Sequence, residues 1–397
     1  MDFEDTREEA AFRAEVRAFL DAHAPKEGLR HGDLQDMRAR VARQRAWQRV
    51  LHEHGFGAPN WPAEWGGRGF TAAQSAIWRQ ECGRSGVDAG VLSAGLAMLG
   101  PALIAHGDDA LKRRFLEPTA RGDIMWAQLF SEPGAGSDLA SLATRAVRDG
   151  ADWIVNGQKI WSSFADHADW GFLLVRSDPR APKHRGISFL LLDMKSPGIE
   201  VRPLVEMTGG SHFNEVFLSD VRVPDAQRVG PPGGGWAVAR TVLMFERSSI
   251  GSFSALDYYE KLAALCAERG GADAASADEI AQLYAWAKGL DLLGKRVQTK
   301  LSRGEIPGAE GSVMKNAIAE LMLRAAALGM RLLGEEALAA DSPCARDFLF
   351  APSMHLGGGS EEIMKNLVAE QVLGLPREPD GFHGLPFDEI PRSQGGA

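Results

Sequence analysis

The hydrophobic periodicity of the chain changes twice, and this constrains the fold more than any other feature. In the first part apolar residues recur at helical spacing, as Phe12, Val16 and Leu20 do. Between about 125 and 225 they form short β-rich runs separated by Pro, Gly, Asp or Asn. After Trp236 the helical spacing returns. The pattern predicts an α+β protein whose parts are helical, then β, then helical.

Breaker residues give the expected boundaries of these parts. We expect an N-terminal α-helical domain over residues 1–121, a middle β-barrel-like domain over 122–229, and a C-terminal helical domain over 230–397. The run from Gly230 to Gly235 is interpreted as a linker and helix entry, because no βαβ pattern surrounds it. Further on, Ser276–Glu279 reads as a capping box that begins a long helix.

Charge and cysteine content restrict the classes of function. A formal charge of -9 argues against an extended nucleic-acid surface, and no apolar run approaches the length of a membrane span. Cys82, Cys266 and Cys344 are few and scattered, which fits a reducing compartment. In His52-Glu53-His54 the imidazoles would lie on different helix faces. We therefore expect a cytoplasmic protein without a metal site.

A stretch of small residues in the β region is typical of close ligand contact. It reads Ser131-Glu132-Pro133-Gly134-Ala135-Gly136-Ser137-Asp138. Its two glycines allow backbone N–H groups to approach a bulky or anionic ligand, and its serines add hydroxyl donors. Downstream, Asn156-Gly157 predicts a tight hairpin. Trp161 then precedes Ser162 and Ser163, which would suit a flat cofactor.

These motifs, taken together, resemble the acyl-CoA dehydrogenase family. The resemblance covers nearly the whole chain and includes Asn60-Trp61-Pro62, Asp220–Pro224 and Gly357–Ser360. It implies the family's fold, with a C-terminal four-helix bundle, and FAD as cofactor. It also implies oxidation of an acyl-CoA thioester to the 2-enoyl-CoA, with electrons passed to an electron-transfer flavoprotein.

The resemblance assigns the catalytic base to the helix after Trp236. Many members carry a glutamate where this chain has Gly358. A subset similar to the isovaleryl-CoA and long-chain acyl-CoA dehydrogenases places it on the first long C-terminal-domain helix, before an arginine, and here Glu246 precedes Arg247. Glu246 is therefore the candidate base, and Arg247 a candidate substrate anchor. From the residues alone, Glu246 also reads as a member of a structural ion pair, and Arg247 as a cation on a helix face.

The remaining site residues also follow from the resemblance. The backbone N–H of Gly358, with Gly359 beside it, would polarise the thioester carbonyl. Ser137 would meet the CoA arm. The adenosine side of the cofactor would lie near Ser360 and Glu362. The isoalloxazine ring would be contacted by Gln128, Leu129, Phe130, Ser131, Trp161, Ser162 and Ser163.

Two features of the sequence leave alternatives open. Homotetrameric members carry Arg-x-x-Phe-Gly and Gln-x-x-Gly-Gly segments, where this chain reads Cys266–Asp273 and Arg331–Glu335. Besides a homodimer or homotetramer, the chain could be a partner-dependent subunit of a heteromeric enzyme. A flavin oxidase or monooxygenase on the same fold is a further alternative. Chain length, branching and any terminal carboxylate of the substrate stay open.

Overall fold

The computed structural model of the chain describes residues 5–26, 29, 37–87, 90–250, 255–302, 310–339, 342–379, 381–382 and 384–391. The chain divides into two compact units. The first comprises Met1–Phe245 and Pro379–Ala397, and the second comprises Glu246–Glu378. The sequence of the second unit is therefore inserted within that of the first.

Capped amphipathic helices form the start of the first unit. Thr6 and Thr71 each begin a helix with a capping box, in which the threonine hydroxyl and a side chain three residues on satisfy free backbone N–H groups. Phe12, Val16 and Leu20 are buried along one helix face, which confirms the predicted spacing. The helices are α1 (Arg7–His23), α2 (Met37–Glu53), α3 (Ala72–Ser85), α4 (Gly100–His106) and α5 (Asp109–Arg121).

A buried carboxylate joins α1 to α3. The side chain of Glu81, on α3, is only 3% exposed and forms ion pairs with Arg13, Arg17 and Arg84. Hydrogen bonding to Arg17 is the largest influence on the pKa of Glu81, which lies at about 2. The pair of helices therefore depends on a charged network as well as on apolar packing.

The middle of the first unit is a single sheet with an apolar core on each face. Its strand order is β6-β7-β3-β2-β4-β5-β8, with β1 parallel to β4. All the other pairings are antiparallel except a short contact between β2 and β4. The strands are β1 (Trp126–Leu129), β2 (Arg145–Asp149), β3 (Asp152–Ser163), β4 (Trp170–Arg176), β5 (Ile187–Asp193), β6 (Ile199–Leu204), β7 (Phe213–Pro224) and β8 (Arg228–Val229).

The hairpin predicted at Asn156-Gly157 is wrong. Both residues lie inside the continuous strand β3, and the turn that joins β2 to β3 lies at Gly150 and Ala151 instead. A Cβ atom at Gly157 would come 2.7 Å from the Cα of Thr144. Glycine is needed here for close backbone approach at an irregularity in the β3–β7 pairing.

A segment near the end of the chain returns to the first unit. The backbone N–H groups of Phe387 and Asp388 donate to the carbonyl oxygens of Ala181 and Pro179. The guanidinium of buried Arg176 lies 3.7 Å from the centre of the Phe387 ring. We call residues 386–390 the return segment.

Helices form the second unit around one apolar core. Helix α6 (Gly235–Ile250) crosses the boundary between the units. The capping box predicted at Ser276 is wrong in position: the helix begins at Ala274, and Asp273 accepts a hydrogen bond from the Ser276 N–H. The other helices are α7 (Ala255–Glu268), α8 (Ala274–Ser302), α9 (Glu310–Leu333), α10 (Pro343–Phe350) and α11 (Glu361–Gln371).

Among the described helices, none combines the length and apolarity needed to cross a membrane.

Candidate functional site

The end of β1 leads directly into the small-residue loop. The side chains of Leu129 and Phe130 are buried in the two cores of the sheet, whereas Gln128 and Ser131 are half-buried. Leu129 and Phe130 can therefore reach a ligand only through their backbone. The carbonyl oxygen of Ser131 accepts a hydrogen bond from the Ile160 N–H at 2.9 Å, which joins the loop to β3.

A buried ion pair, which the sequence analysis did not single out, lies between the loop and β3. Glu132 is 8% exposed and Lys159 is fully buried, and their Oε1 and Nζ atoms are 2.8 Å apart. Glu132 also accepts hydrogen bonds from the backbone N–H groups of Ala143 and Thr144. Spacing by two along β3 from buried Val155 was the signal for an inward-facing Lys159.

Burial and pairing act on the pKa values of this pair in opposite directions. Burial would raise the pKa of Glu132, but Lys159 and the backbone donors bring it below the usual value. Burial lowers the pKa of Lys159, and Glu132 partly offsets that effect. The opposite charges of Glu132 and Lys159 thus compensate each other in the interior of the sheet.

The end of β3 presents an aromatic side chain in an unusual backbone conformation. Trp161 is 59% exposed and has a φ of 59°, which is rare for a bulky residue. Its indole meets the ring of Phe213 edge to face, with centroids 5.8 Å apart. Ser163 is exposed, whereas Ser162 is fully buried. Strained backbone of this kind concentrates at functional sites.

These residues fit a flat aromatic cofactor. The exposed indole of Trp161 offers an apolar face, and the Ser131 and Ser163 hydroxyls lie on segments fixed by the β1 and β3 pairings. Residues 128–131 and 161–163 are the two segments that we expect to contact the flavin, and we call them the flavin seat. Both segments belong to the first unit.

A second support of the seat, also missed in the sequence, is the loop before β7. Glu206 accepts hydrogen bonds from the backbone N–H groups of His212 and Phe213 and from the His212 ring. The carbonyl oxygen of His212 accepts from the N–H of Phe164, just after the seat. This loop thereby fixes the strand end that carries Trp161.

Ser137, the candidate for the CoA arm, is exposed beyond the loop's first turn. Its neighbour Asp138 forms an ion pair with Lys183 at 2.5 Å and accepts a hydrogen bond from Ser141. Burial acts against ionisation of Asp138, but Lys183 and Ser141 hold its pKa below the usual value. An anionic group therefore lies next to Ser137.

Glu246 and Arg247 lie on helix α6, at the start of the second unit. Glu246 is half-buried and follows an apolar run that includes fully buried Val242. The backbone of Arg247 is helical, but its side chain lies outside the described part of the structure.

The glycine-rich loop of the second unit is held between α9 and α11. Gly358 and Gly359 have φ values of 70° and 101°, which favour glycine. Nζ of buried Lys315, on α9, donates to the carbonyl oxygen of His355 at 3.3 Å. The His355 ring in turn pairs with Glu361 at 2.9 Å. These contacts fix both ends of the loop.

Ser360 and Glu362 occupy the N-terminus of α11. Ser360 is the N-cap, and its hydroxyl accepts from the N–H of Ile363. Glu362 is exposed, and backbone and Ser360 hydrogen bonds lower its pKa. Both positions therefore also have a structural role as helix caps.

Among the described residues, no three His, Cys, Asp or Glu side chains are grouped so that they could hold a metal ion.

Family models match three successive parts of the chain. The acyl-CoA dehydrogenase N-terminal domain matches residues 6–123, the middle domain 127–221 and the C-terminal domain 233–373. A helical part, a sheet and a second helical part follow one another in the same order in the structure. The chain belongs to the acyl-CoA dehydrogenase family. It is accordingly an oxidoreductase of the class that acts on CH–CH groups, with FAD as its cofactor.

Two curated relatives come from Mycobacterium tuberculosis. Acyl-CoA dehydrogenase IpdE1 is 36% identical over 389 residues, which cover 93% of this chain and 98% of IpdE1. Acyl-CoA dehydrogenase FadE34 is 41% identical over 338 residues, or 83% of this chain. That match spans only 46% of the length of FadE34.

Two solved structures resemble the chain over almost its full length. The Tcur3481-Tcur3483 steroid ACAD has a TM-score of 0.83 and 29% identity, and the match covers 95% of this chain and 100% of that one. The ChsE4-ChsE5 complex from Mycobacterium tuberculosis has a TM-score of 0.80 and 30% identity, with coverage of 95% and 100%.

Proposed function

We propose that this chain is a cytoplasmic acyl-CoA dehydrogenase that converts an acyl-CoA thioester to the 2-enoyl-CoA and passes electrons to an electron-transfer flavoprotein. The observation that carries the proposal is the left-handed backbone at Gly358, with a φ of 70°. This conformation favours glycine, which supplies no carboxylate that could act as the base. The base is then supplied by Glu246 on α6, which follows an apolar run.

In this proposal Glu246 removes the proton from the α-carbon of the substrate. The N–H of Gly358, with Gly359 beside it, donates to the thioester oxygen and stabilises the negative charge that develops there. FAD, when bound, supplies the acceptor for the hydride from the β-carbon. Arg247 anchors the substrate, and Ser137 contacts the CoA arm.

The proposed cofactor contacts divide between two parts of the chain. The flavin seat holds the ring system, with the backbone of Leu129 and Phe130 and the side chains of Trp161 and Ser163 as the principal contacts. Ser360 and Glu362 contact the adenosine end. The domain boundaries proposed for this arrangement are residues 121/122 and 229/230.

We propose a ring-bearing acyl group as the substrate class. One similar solved structure is a steroid ACAD, and IpdE1 and FadE34 are acyl-CoA dehydrogenases. Because the proposed base lies on α6, the loop around Gly358 has glycines where many members carry a bulky carboxylate. Small residues in that loop are compatible with a large acyl group.

The test is anaerobic titration of the flavin absorption with a panel of acyl-CoAs. We expect bleaching with ring-bearing acyl-CoAs, and a Glu246→Gln variant that binds FAD and acyl-CoA but does not bleach. Glu260→Gln, a change at an exposed acid on α7, is the matched control and should bleach normally. Normal bleaching by Glu246→Gln would remove Glu246 from the mechanism.

The second candidate is a partner-dependent subunit, and the similarity to the ChsE4-ChsE5 complex favours it. Expression of the chain alone, followed by a visible spectrum and a mass measurement in solution, separates the candidates. Stoichiometric flavin in a homomer supports a self-sufficient enzyme. Absence of flavin that added FAD does not restore supports a heteromer with a related chain.

A further inference from the structure

The buried pair Glu132–Lys159 takes no part in the chemistry proposed above, yet it joins the first segment of the flavin seat to β3, the strand that carries the second segment. Nζ of Lys159 donates to the carbonyl oxygen of Phe130 at 3.0 Å as well as to Glu132 at 2.8 Å. Phe130 belongs to the first segment of the seat. Lys159 lies on β3, two residues before Trp161, which belongs to the second segment. The ammonium group therefore links the two segments from the interior of the sheet.

This link fixes the direction of the peptide group between Phe130 and Ser131. In a planar trans peptide the C=O and N–H groups point in opposite directions. Because the Phe130 carbonyl points at Lys159, the N–H of Ser131 points away from it. The next carbonyl, that of Ser131, is held by the Ile160 N–H. Both peptide groups that flank the Ser131 side chain are thus set by β3.

We propose that the Glu132–Lys159 pair positions the flavin seat, by holding the Phe130 carbonyl so that the Ser131 N–H is already directed toward the cofactor before it binds. Glu132 contributes to this positioning, because it balances the buried ammonium and accepts hydrogen bonds from the N–H groups of Ala143 and Thr144, just before β2. The inference rests on the flavin seat proposed above.

A purely structural role makes a different prediction. Replacing a buried ion pair by apolar or neutral groups is often neutral for stability, whereas removing one partner leaves an uncompensated charge. Stability should therefore fall in Lys159→Met and recover in the double variant Glu132→Gln/Lys159→Met. If the pair also positions the flavin seat, FAD retention does not recover in the double variant even though stability does, because the donor to the Phe130 carbonyl is still missing.

The experiment measures the rate of FAD release from each holoenzyme, by the rise in flavin fluorescence, beside its melting temperature. We expect release roughly tenfold faster or more in Lys159→Met and in the double variant, the loss expected for a charged hydrogen bond. Arg222→Met, which removes an exposed ion-pairing cation on β7 of the same sheet, is the control and should release FAD at the original rate. A double variant that retains FAD normally overturns the proposal.

A measurement on the unaltered protein does not depend on any variant folding. Hydrogen exchange at the Ile160 N–H should be slow both with FAD and after its removal, since the seat is preformed. Exchange that becomes fast on FAD removal would show that the cofactor orders the seat, and the positioning role would fail.

The variant Trp161→Leu tests the flavin seat itself. Unchanged FAD release from this variant would reject the seat. Neither the exchange result nor this result depends on Glu246.

Discussion

The contact between Gly157 and Thr144 leaves no space for a side chain in the middle of β3. A Cβ atom at residue 157 would lie 2.7 Å from the Cα of Thr144, just before β2, so the backbone of β3 and that of Thr144 would have to move apart. Because β3 also carries Lys159 and Trp161, a shift here would reach the flavin seat. The position therefore couples strand packing to the site.

We predict that Gly157→Ala lowers the free energy of unfolding by about 1–3 kcal/mol, the usual cost of overpacking. Urea unfolding followed by tryptophan fluorescence measures it. Gly83→Ala on α3 is the control, because nothing lies within 4 Å of the added methyl group and alanine favours a helix. Equal stability of Gly157→Ala and the original protein would contradict the packing argument.

At single residues, sequence reasoning identified groups with distinctive chemistry and missed those whose role depends on a distant partner. Trp161 and Ser163 are exposed where we expected ligand contacts. For Lys159 the sequence indicated only a position in a strand. The ion pair could not be predicted, because Glu132 lies 27 residues earlier and a lysine is rarely fully buried. The roles of all the site residues, those of Glu246 and Arg247 included, stay predictions.

Among the helices, the pairing of α1 with α3 depends on a carboxylate whose pKa is far below its ordinary value. Glu81 has a pKa of about 2 against 4.5, because Arg17, Arg84 and Arg13 surround it. A lowered pKa stabilises the folded state when the carboxylate is ionised. The contribution is complete above about pH 4.5 and is lost as the pH falls through about 2.

We predict that Glu81→Gln lowers the melting temperature at pH 6, and that its difference from the original protein shrinks as the pH falls from 4.5 to 2. The arginines are partly exposed, so the loss should be smaller than the about 3–5 kcal/mol of a fully buried pair. Glu15→Gln, which removes an exposed partner of Arg68, should have little effect. A pH-independent difference would contradict the role of ionisation.

The start of α8 offers a direct comparison between the cap expected from the sequence and the cap in the structure. Asp273 accepts a hydrogen bond from the Ser276 N–H at 2.8 Å. We predict that Asp273→Ala costs stability in thermal unfolding, because the helix loses its N-cap. Ser276→Ala should cost less, and the reverse order would restore the capping box expected from the sequence.

Helix existence and type could be predicted from periodicity, whereas helix ends could not. The apolar spacing that starts at Phe12 identifies α1 because one face must be buried. The first residue of α8 depends on which of several polar side chains reaches a free N–H, and both Asp273 and Ser276 are suitable acceptors. The Asn156-Gly157 pair in β3 was ambiguous in a similar way, because the same two residues are compatible with a tight turn and with a close backbone contact inside a strand.

At the scale of the whole molecule, FAD binding adds its free energy to the folded state. We predict that FAD raises the melting temperature of flavin-depleted protein. When free FAD is 100 times its Kd, the free energy of unfolding should rise by about 2.7 kcal/mol. NAD, a dinucleotide without a flavin ring, is the control ligand and should leave the melting temperature unchanged. An equal response to both would contradict recognition of the flavin ring.

The family and the order of its parts could be predicted from motifs spread over the sequence, because each motif marks a local structure. The assignment of the end of the chain to the first unit could not be predicted, since it depends on the contacts of the return segment. Nothing in residues 386–390 alone indicates that Phe387 packs against Arg176, more than two hundred residues earlier.

The return segment also sets an order of events during synthesis. A ribosome makes all of Glu246–Glu378 before it makes residues 386–390, although the sheet of the first unit is finished much earlier. During that interval the guanidinium of Arg176 has its backbone partners but lacks the ring of Phe387. A nascent chain therefore carries an incomplete first unit until the inserted unit has been translated. Throughout that interval the surface that the Phe387 ring covers at Arg176 in the finished protein stays uncovered.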